Sequence, residues 1–386
     1  MYRRWMTAVL CVIALSCVGG VSGAAGQPAV LTELTFFLTF VPNIQFSPIY
    51  VAIEKGYFAE EGLNVTIQHG DEPDGANLIA AGQLDFGMIS GEQVILARSR
   101  GLPLVYVYAW FQEYPVGIVV PDNLGVSSVR DLIGRKVGIP GRFGASYTGL
   151  LALLAANGMT ESDIQLEPIG FNAPDVVCLG GVEASVIYIN NEPLQIQQRA
   201  DAGMCGDITG VTVFPVAEAA NMVSNGITTS EMAIAERPEL VRAVVRAYDR
   251  GLRAVINNPA EAYLLSRKYV ETLPASEEFV QALEEAASAQ AEFLAGSPDR
   301  EAVAASREAL RSELQARFEP KDVLQFLVLL ETIELWDSDQ LGRTELSAWE
   351  ITQETLLAMP ADIVTMSEPI DLSAAFTNAF LPPDEQ

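Results

Sequence analysis

The feature that most constrains this 386-residue chain is a regular alternation of short β-type runs with helical runs between residues 31 and 230. Each run rich in branched and aromatic residues is followed by a stretch whose apolar residues recur with helical spacing. Because parallel strands need a crossover, most often a helix, this order predicts sheets of parallel strands flanked by helices. From 237 to 359 the pattern indicates almost unbroken helix. We expect strands at 34–40, 64–68, 86–89, 136–139 and 183–189, and helices at 48–58, 75–81, 93–100, 127–133 and 147–157.

The first 26 residues have the pattern of an export signal. Arg3 and Arg4 form a basic start, an apolar run covers 6–18, and small residues follow. The run is short for a bilayer span and ends in glycines, which favours a cleaved signal over a membrane anchor. Cys17 stands in a partial match to a lipoprotein box, so a lipid anchor is a second alternative.

Net charge and cysteine content narrow the partners of the mature chain. Without the signal, 21 basic residues face 50 acidic ones, a net charge of −29. Such a surface repels nucleic acid and anionic lipid, so we expect neither as a partner. Two cysteines remain, Cys178 and Cys205. In an exported protein they either form a disulfide or remain as two small, buried hydrophobic residues.

The sequence contains no recognisable catalytic motif. Its single histidine is His69, whereas acid–base and metal chemistry usually depend on well-placed histidines. The glycine-rich segment 138–144 lacks the spacing and the Lys-Ser/Thr ending of a phosphate loop, and neither a dinucleotide fingerprint nor a nucleophile elbow occurs. We therefore expect a protein that is not an enzyme and that uses neither a cofactor nor a metal.

Five loops at predicted strand ends carry the candidate ligand contacts. Ligands of parallel α/β sheets bind at the carboxyl ends of strands, where the loops enter helices. Aromatic rings stack flat ligands, while Asn, Ser and Glu orient ring nitrogens and carbonyls. Each single residue can have a structural role instead of contacting a ligand: Trp110 can be a core residue, and Asn43 can cap a turn. The candidate contacts are Asn43, Phe46, Tyr50, Ser90, Glu92, Trp110, Tyr114, Phe143, Ser146, Tyr147, Tyr188, Asn190, Asn191 and Glu192.

Specific runs between residues 34 and 268 match one known family in the order that the family shows. The Gly-Tyr-Phe and Asp-Leu-x-Gly-Arg-Lys blocks are the most specific in combination. The matching runs are Phe40-Val-Pro-Asn43, Pro48-Ile-Tyr50-Val-Ala52, Gly56-Tyr57-Phe58-Ala-Glu-Glu-Gly62-Leu63, Ala80-Ala-Gly82-Gln-Leu84-Asp85, Asp131-Leu132-Ile-Gly134-Arg-Lys136 and Ser224-Asn225-Gly226-Ile227-Thr228-Thr229. Together they resemble the substrate-binding proteins of ABC importers in the sulfonate, taurine and thiamine-pyrimidine uptake group.

The resemblance implies the bilobal periplasmic-binding-protein fold, an α/β fold with two parallel or mixed sheets, a ligand cleft between the lobes and extra C-terminal helices. After the signal at 1–26, lobe one is expected to comprise 32–118 and 225–386, and lobe two 119–224. Crossing segments near 119–122 and 222–225 are expected to form the hinge, and capture to proceed by hinge closure rather than catalysis. We further expect a monomer outside the cytoplasm, with a small-molecule ligand and ABC permease subunits as partners.

Within this group the candidate loops favour a flat, neutral heterocycle over an anion, because Glu92, Glu113 and Glu192 outnumber the single arginine. The runs 91–93 and 188–193 resemble a branch associated with riboflavin uptake, and the isoalloxazine ring suits the aromatic content. We therefore expect a flavin, riboflavin, as the first candidate. A thiamine-precursor pyrimidine (formylaminopyrimidine or hydroxymethylpyrimidine) is second, and a sulfonate is third.

An enzyme of the same fold is the remaining alternative. A fungal relative makes the thiamine pyrimidine from a pyridoxal cofactor and its own histidine, and it depends on a cysteine-rich iron-binding motif. This chain has no such cysteine cluster, and His69 lies outside the candidate loops. An export signal also suits a receptor better than a biosynthetic enzyme.

Overall fold

The chain forms two α/β units, each built around a five-stranded sheet. A computed structural model describes residues 31–359 and 366–383. The expected signal at 1–26, including Cys17 with the lipid anchor as its alternative role, lies outside the described residues. The strands of the described residues are β1 (Thr32–Thr39), β2 (Leu63–Gly70), β3 (Phe86–Ser90), β4 (Leu104–Ala109), β5 (Val116–Pro121), β6 (Lys136–Ile139), β7 (Gln165–Pro168), β8 (Ala184–Tyr188), β9 (Val211–Pro215) and β10 (Asn225–Ser230).

Helices cover both sheets and make up most of the chain after β10. The helices of the described residues are α1 (Ser47–Glu54), α2 (Tyr57–Glu60), α3 (Glu72–Ala80), α4 (Gly91–Ser99), α5 (Gly144–Ala156), α6 (Ala173–Cys178), α7 (Glu192–Asp201), α8 (Glu231–Glu236), α9 (Pro238–Asn257), α10 (Pro259–Ser266), α11 (Glu277–Leu294), α12 (Arg300–Arg317), α13 (Pro320–Trp336) and α14 (Leu346–Ala358). No helix within the described ranges is both long and apolar enough to cross a membrane.

Both sheets are mixed rather than fully parallel. In the first, ordered β2-β1-β3-β10-β4, β1 pairs in parallel with β2 and β3, and β10 runs antiparallel to β3 and β4. In the second, ordered β7-β6-β8-β5-β9, β6 pairs in parallel with β7 and β8, and β5 runs antiparallel to β8 and β9. Each of the antiparallel strands β5 and β10 is the first strand after the chain crosses between sheets. The predicted α/β fold class is confirmed.

The chain crosses between the two sheets twice. Since β4 belongs to the first sheet and β5 to the second, the first crossing lies at 110–115, a few residues before the expected 119–122. The return crossing lies at 216–224 and ends where β10 begins, which overlaps the expected 222–225. The first sheet therefore contains strands from before and after the second, and two chain segments join the lobes.

Local sequence explains where the elements differ from the prediction. The helix predicted at 48–58 divides into α1 and α2 at Gly56, whose φ of +76° ends the first helix in the left-handed region that favours glycine. The short helix predicted at 127–133 is a single 3-10 turn at Val129–Leu132, begun by a capping box between Ser128 and Asp131.

The C-terminal part of the chain completes the first lobe. Helix α9 packs on α1 so closely that a Cβ on Gly251 would lie 2.2 Å from the carbonyl oxygen of Pro48. The last described residues cover β4: the N–H of Tyr106 donates to Ala375, and the N–H of Thr377 donates to Tyr106, both at 2.9 Å. These bonds pair an edge strand whose backbone groups would otherwise be open.

The second lobe contains the disulfide whose formation the sequence left open. Cys178 at the end of α6 is bonded to Cys205, 27 residues later. Cys205 is buried in a small apolar cluster with Val177 and Ile196. The bond therefore ties α6 to the segment that follows α7.

Candidate ligand-binding cleft

A cleft separates the two lobes and is bounded by loops that leave their strand ends. It encloses about 890 Å³ of non-protein space when its open mouth is included. Asp71, Glu72 and Glu192 line it, and no Lys or Arg is among its described lining residues. The lining consists of Thr39, Phe40, Gln45, Phe46, Asp71, Glu72, Trp110, Pro140, Phe143, Gly144, Ala145, Ser146, Gly170, Phe171, Ala173, Val186, Ile187, Tyr188, Glu192 and Asn225.

Aromatic side chains form the first-lobe wall of the cleft. Trp110, directly after β4, stacks on Phe46 with 5.3 Å between ring centroids and 24° between planes. Trp336, the last residue of α13, lies 5.8 Å from Trp110. The indole N–H of Trp110 is buried and has no partner among the described residues. An apolar wall with a free donor suits a flat ring that carries a hydrogen-bond acceptor.

Hydrogen-bonding groups form the second-lobe wall, where β8 ends and α7 begins. The N–H of Tyr188 donates to Oε2 of Glu192 at 2.8 Å, and the side-chain amide of Asn191 donates to Oε1 at 3.0 Å. Burial raises the pKa of the Glu192 carboxyl to about 7, against the opposing effect of these hydrogen bonds. The carboxyl can therefore accept or donate a proton near neutral pH.

Among the described residues, three hydrogen bonds between two side chains cross between the lobes. The side-chain amide of Asn190 donates to Oε1 of Gln45 at 2.9 Å and to Oγ1 of Thr332 at 2.7 Å. The hydroxyl of Tyr188 donates to Oδ1 of Asn225 at 2.8 Å. Because all three bonds need the lobes close together, this is a conformation with the cleft largely shut.

An aromatic pair spans the lobes at the rim of the cleft. The rings of Phe40 and Phe171 meet edge to face, 4.5 Å between centroids. Phe40 has a φ of +75°, a conformation that costs a non-glycine residue energy and that is often found at functional sites. Nδ1 of His69 lies 3.0 Å from the Phe40 carbonyl oxygen and holds this turn. Burial lowers the pKa of His69, so the imidazole is neutral, in a structural position.

Two buried acids are connected through Ser90: Glu72, which lines the cleft, and Glu92, which does not. Glu72 accepts hydrogen bonds from the N–H of Ser90 at 2.6 Å and of Ala145 at 3.2 Å, and from the amide of Asn225 at 3.1 Å. Glu92 is fully buried and accepts from the Ser90 hydroxyl. Burial first, and then the charge of Glu72, raise the pKa of Glu92 well above its usual range.

Six of the predicted contacts line the cleft, and eight do not. Tyr50 lies in the core, stacked on Tyr269 at 4.4 Å, because it faces α9 and α10 rather than the cleft. Tyr114 donates to the carbonyl of Ala145 at 2.9 Å. The six are Phe46, Trp110, Phe143, Ser146, Tyr188 and Glu192. The eight are Asn43, Tyr50, Ser90, Glu92, Tyr114, Tyr147, Asn190 and Asn191.

Several of these eight support the cleft without lining it. The side chain of Asn43 accepts a hydrogen bond from the N–H of Gln45 and so caps a turn, which is the alternative role given for it above. Tyr147 points away and donates to Glu161 at 2.5 Å. Three more hydrogen-bond directly to a lining residue: Asn190 to Gln45, Asn191 to Glu192, and Ser90 to Glu72. Glu92 acts one step further away, through its hydrogen bond with Ser90.

The sequence prediction missed two cleft loops. Asp71 and Glu72 follow β2, and Gly170 and Phe171 follow β7. Both loops obey the same strand-end rule that selected the other five, and because the strand at 64–68 was predicted, the rule could have found Asp71 and Glu72. β7 was not predicted at all, and the loop after it was therefore out of reach.

Two lobes that meet over a cleft of aromatic and hydrogen-bonding side chains define a substrate-binding protein. The same fold occurs in a periplasmic sulfonate-binding protein of Methylobacillus flagellatus, with a TM-score of 0.56 at 13% identity over 91% of this chain and 93% of that one. The chain belongs to the NMT1/THI5-like family, whose model matches residues 43–262.

Its relatives include receptors and enzymes. A riboflavin-binding protein of Chloroflexus aurantiacus is 34% identical over 92% of this chain and 88% of its own. A formylaminopyrimidine-binding protein of Halalkalibacterium halodurans is 30% identical over 62% of this chain and 72% of its own. A 4-amino-5-hydroxymethyl-2-methylpyrimidine phosphate synthase of Legionella pneumophila is 26% identical over 61% of this chain and 72% of its own. The resemblance inferred from the sequence is confirmed.

Proposed function

We propose that this chain is the extracytoplasmic ligand-capturing subunit of an ABC importer and that its ligand is riboflavin. The observation that carries the proposal is the cleft itself, where an aromatic wall at Phe46 and Trp110 opposes a hydrogen-bonding wall at Tyr188 and Glu192. A flat ring system with a polar edge uses both walls. The likeness to a riboflavin-binding protein over nearly the whole chain supports the same ligand.

In this proposal the isoalloxazine ring lies against Trp110 and Phe46. The indole N–H of Trp110, which has no partner among the described residues, donates to a ring acceptor. The carboxyl of Glu192 pairs with the imide edge of the ring, oriented by Asn191. Burying the ring replaces open space between the walls with apolar contact and holds the lobes together.

A thiamine-precursor pyrimidine is the second candidate. The relative that binds formylaminopyrimidine supports it, although that likeness covers a smaller part of the chain. A pyrimidine is also flat and polar-edged, but it covers less of the aromatic wall. A sulfonate is the weakest candidate, because the described lining offers three carboxyls and no cationic side chain.

We infer capture rather than catalysis, although some relatives are named as synthases. His69 is held by the Phe40 carbonyl, and Cys178 is bonded to Cys205, so these residues have structural roles. Incubation with pyridoxal phosphate and iron tests this directly: formation of a pyrimidine product would make the chain an enzyme.

Export of the chain follows from the same proposal. Residues 1–26 have the pattern of an export signal. The disulfide is typical of the oxidising compartments outside the cytoplasm. The mass of the protein purified from an expressing bacterium distinguishes cleavage near residue 26 from lipidation at Cys17. A mass that retains residues 1–26 unmodified contradicts export.

Tryptophan-fluorescence titration of the mature chain with riboflavin, formylaminopyrimidine and taurine tests the ligand. Trp110 lines the cleft, so occupation should quench part of the emission. We expect saturable, submicromolar binding of riboflavin and much weaker binding of the other two. Saturation by the pyrimidine alone would replace riboflavin with the second candidate, and saturation by taurine alone would replace it with the third.

A further inference from the structure

The carboxylate of Glu72 joins the two lobes inside the cleft. Glu72 begins α3 in the first lobe and is only 5% exposed. Its Oε1 accepts from the N–H of Ser90 and the amide of Asn225, both in the first lobe. Its Oε2 accepts from the N–H of Ala145 in the second lobe at 3.2 Å. A single acidic side chain thus occupies the space where the lobes meet.

The position of Oε2 is that of an anion at a helix N-terminus. Ala145 is the second residue of α5, a 13-residue helix whose first N–H groups and dipole favour negative charge. The approach is close, because a Cβ on Gly144 would lie 2.5 Å from Oε2 of Glu72. The protein therefore supplies its own anion where an anionic ligand would otherwise find donors.

The surrounding groups decide which buried acid is charged. Burial raises the pKa of Glu72 above its usual range, although the hydrogen bonds that it accepts from Ser90, Ala145 and Asn225 oppose this shift because they stabilise the ionised form. Glu92, bonded to the Ser90 hydroxyl, has its pKa raised further, by burial and by the charge of Glu72. Of the two acids, Glu92 therefore has the more strongly raised pKa, and Glu72, which accepts three N–H donors, is the one that ionises first. The tyrosines nearest them, Tyr114 and Tyr188, stay neutral, since burial raises the pKa of each.

We propose that Glu72 is a specificity-determining residue, which makes the cleft accept an uncharged ligand and reject the phosphate ester or sulfonate of similar shape. This rests on the proposed function and names the substrate class more narrowly. The described lining adds Asp71 and Glu192 but no cation that would offset a ligand's negative charge. These carboxyls repel an anionic ligand in the cleft. The N-terminus of α5 cannot offset this repulsion, because the carboxylate of Glu72 already accepts a hydrogen bond there.

Titration with riboflavin and with its 5′-phosphate tests the proposal. We expect the wild-type chain to bind riboflavin at least about tenfold more tightly than the ester. Glu72→Gln, which keeps the side-chain shape and removes the charge, should reduce that ratio about threefold or more by strengthening ester binding. Asp71→Asn is the matched control, since it removes the same charge from a neighbouring, exposed lining residue. Equal affinities of the wild-type chain for riboflavin and its 5′-phosphate would overturn the role of Glu72. So would a D71N variant that reduces the affinity ratio as much as E72Q does.

A second measurement needs no flavin and separates this proposal from the proposed ligand. Glu72→Ser vacates the space in front of Ala145, so millimolar inorganic phosphate should raise the Tm of this variant but not of the wild type. Potassium chloride at the same ionic strength controls for screening. If neither flavin binds, riboflavin is the wrong ligand, and the phosphate response alone decides the role of Glu72. No rise in the Tm of E72S over chloride would overturn it.

Discussion

The hydroxyl of Tyr188, at the end of β8 in the second lobe, donates a 2.8 Å hydrogen bond to the side chain of Asn225, at the start of β10 in the first. Asn225 in turn donates to Glu72. This chain of bonds connects the ligand-facing loop of one lobe to the strand on which the chain re-enters the other. Opening the cleft therefore breaks polar contacts that closure restores, which is how a hinged receptor couples capture to its shape.

Trp110 should dominate the binding energy of a flat ligand. Replacing Trp110 with Leu removes the stacking surface and the indole N–H, and riboflavin affinity should fall about tenfold or more, corresponding to about 1–3 kcal/mol. Trp349→Leu is the matched control, because Trp349 is fully buried and stacks on Phe376 away from the cleft. Fluorescence titration should show affinity unchanged in the control. Equal affinities of the two variants would make Trp110 a core residue.

Gly144 should control how closely the lobes approach. Its φ is +63°, and a Cβ there would lie 2.5 Å from Oε2 of Glu72. Gly144→Ala should therefore hold the lobes apart and weaken riboflavin binding about tenfold. Gly125→Ala separates this clash from backbone strain, since Gly125 has a φ of +61° and no atom within 4 Å of the added Cβ. Similar affinities for the two variants, measured by calorimetry, would contradict the close approach at Glu72.

Glu192 should make stability depend on pH. The carboxyl titrates near 4.5 when unfolded and near 7 in the fold, because burial raises its pKa. Between these values the folded state binds more protons, so the free energy of unfolding falls as pH rises and then levels off above 7.

Glu192→Gln removes this contribution. The difference between variant and wild type should grow across the window by on the order of 1–3 kcal/mol, measured by urea unfolding of the ligand-free chain. Gln165→Asn, exposed at the start of β7, changes no ionisable group, so its difference from the wild type should not change with pH. A constant difference for E192Q as well would show that the carboxyl titrates normally.

The disulfide should stabilise the second lobe without contributing to binding. It joins cysteines 27 residues apart, and closing a loop of that size in the unfolded chain is worth about 3–4 kcal/mol. Replacing Cys178 and Cys205 together with Ser should lower the Tm, while riboflavin affinity stays the same, because neither residue lines the cleft. A Tm equal to that of the wild type would mean that the bond does not form in the mature protein.

Much of the fold could be predicted from local sequence, because parallel strands and amphipathic helices leave a periodic pattern. β6 begins and ends at the predicted residues, and β1, β3 and β8 differ from prediction by one or two at most ends. β5 and β9 were missed, since their neighbours are distant in sequence and no local pattern records an antiparallel pairing across the lobe. The mixed sheets follow from these long-range pairs.

The site was predictable only in part for a similar reason. Strand-end loops could be located from the sequence, and Trp110 and Glu192, predicted on that basis, line the cleft. Which side of a loop faces the cleft depends on packing, so Tyr50 was misplaced in a loop whose helix turns it into the core. Glu72 follows a predicted strand, but its hydrogen bond from Ala145 of the other lobe is a relationship that the sequence does not carry.

Isothermal titration calorimetry of the mature chain with riboflavin tests the central claim most directly. We expect one site per chain, a submicromolar Kd, and a negative heat-capacity change from burial of the ring against the aromatic wall. No measurable heat at tens of micromolar, while formylaminopyrimidine or taurine saturates the same protein, would contradict riboflavin as the ligand.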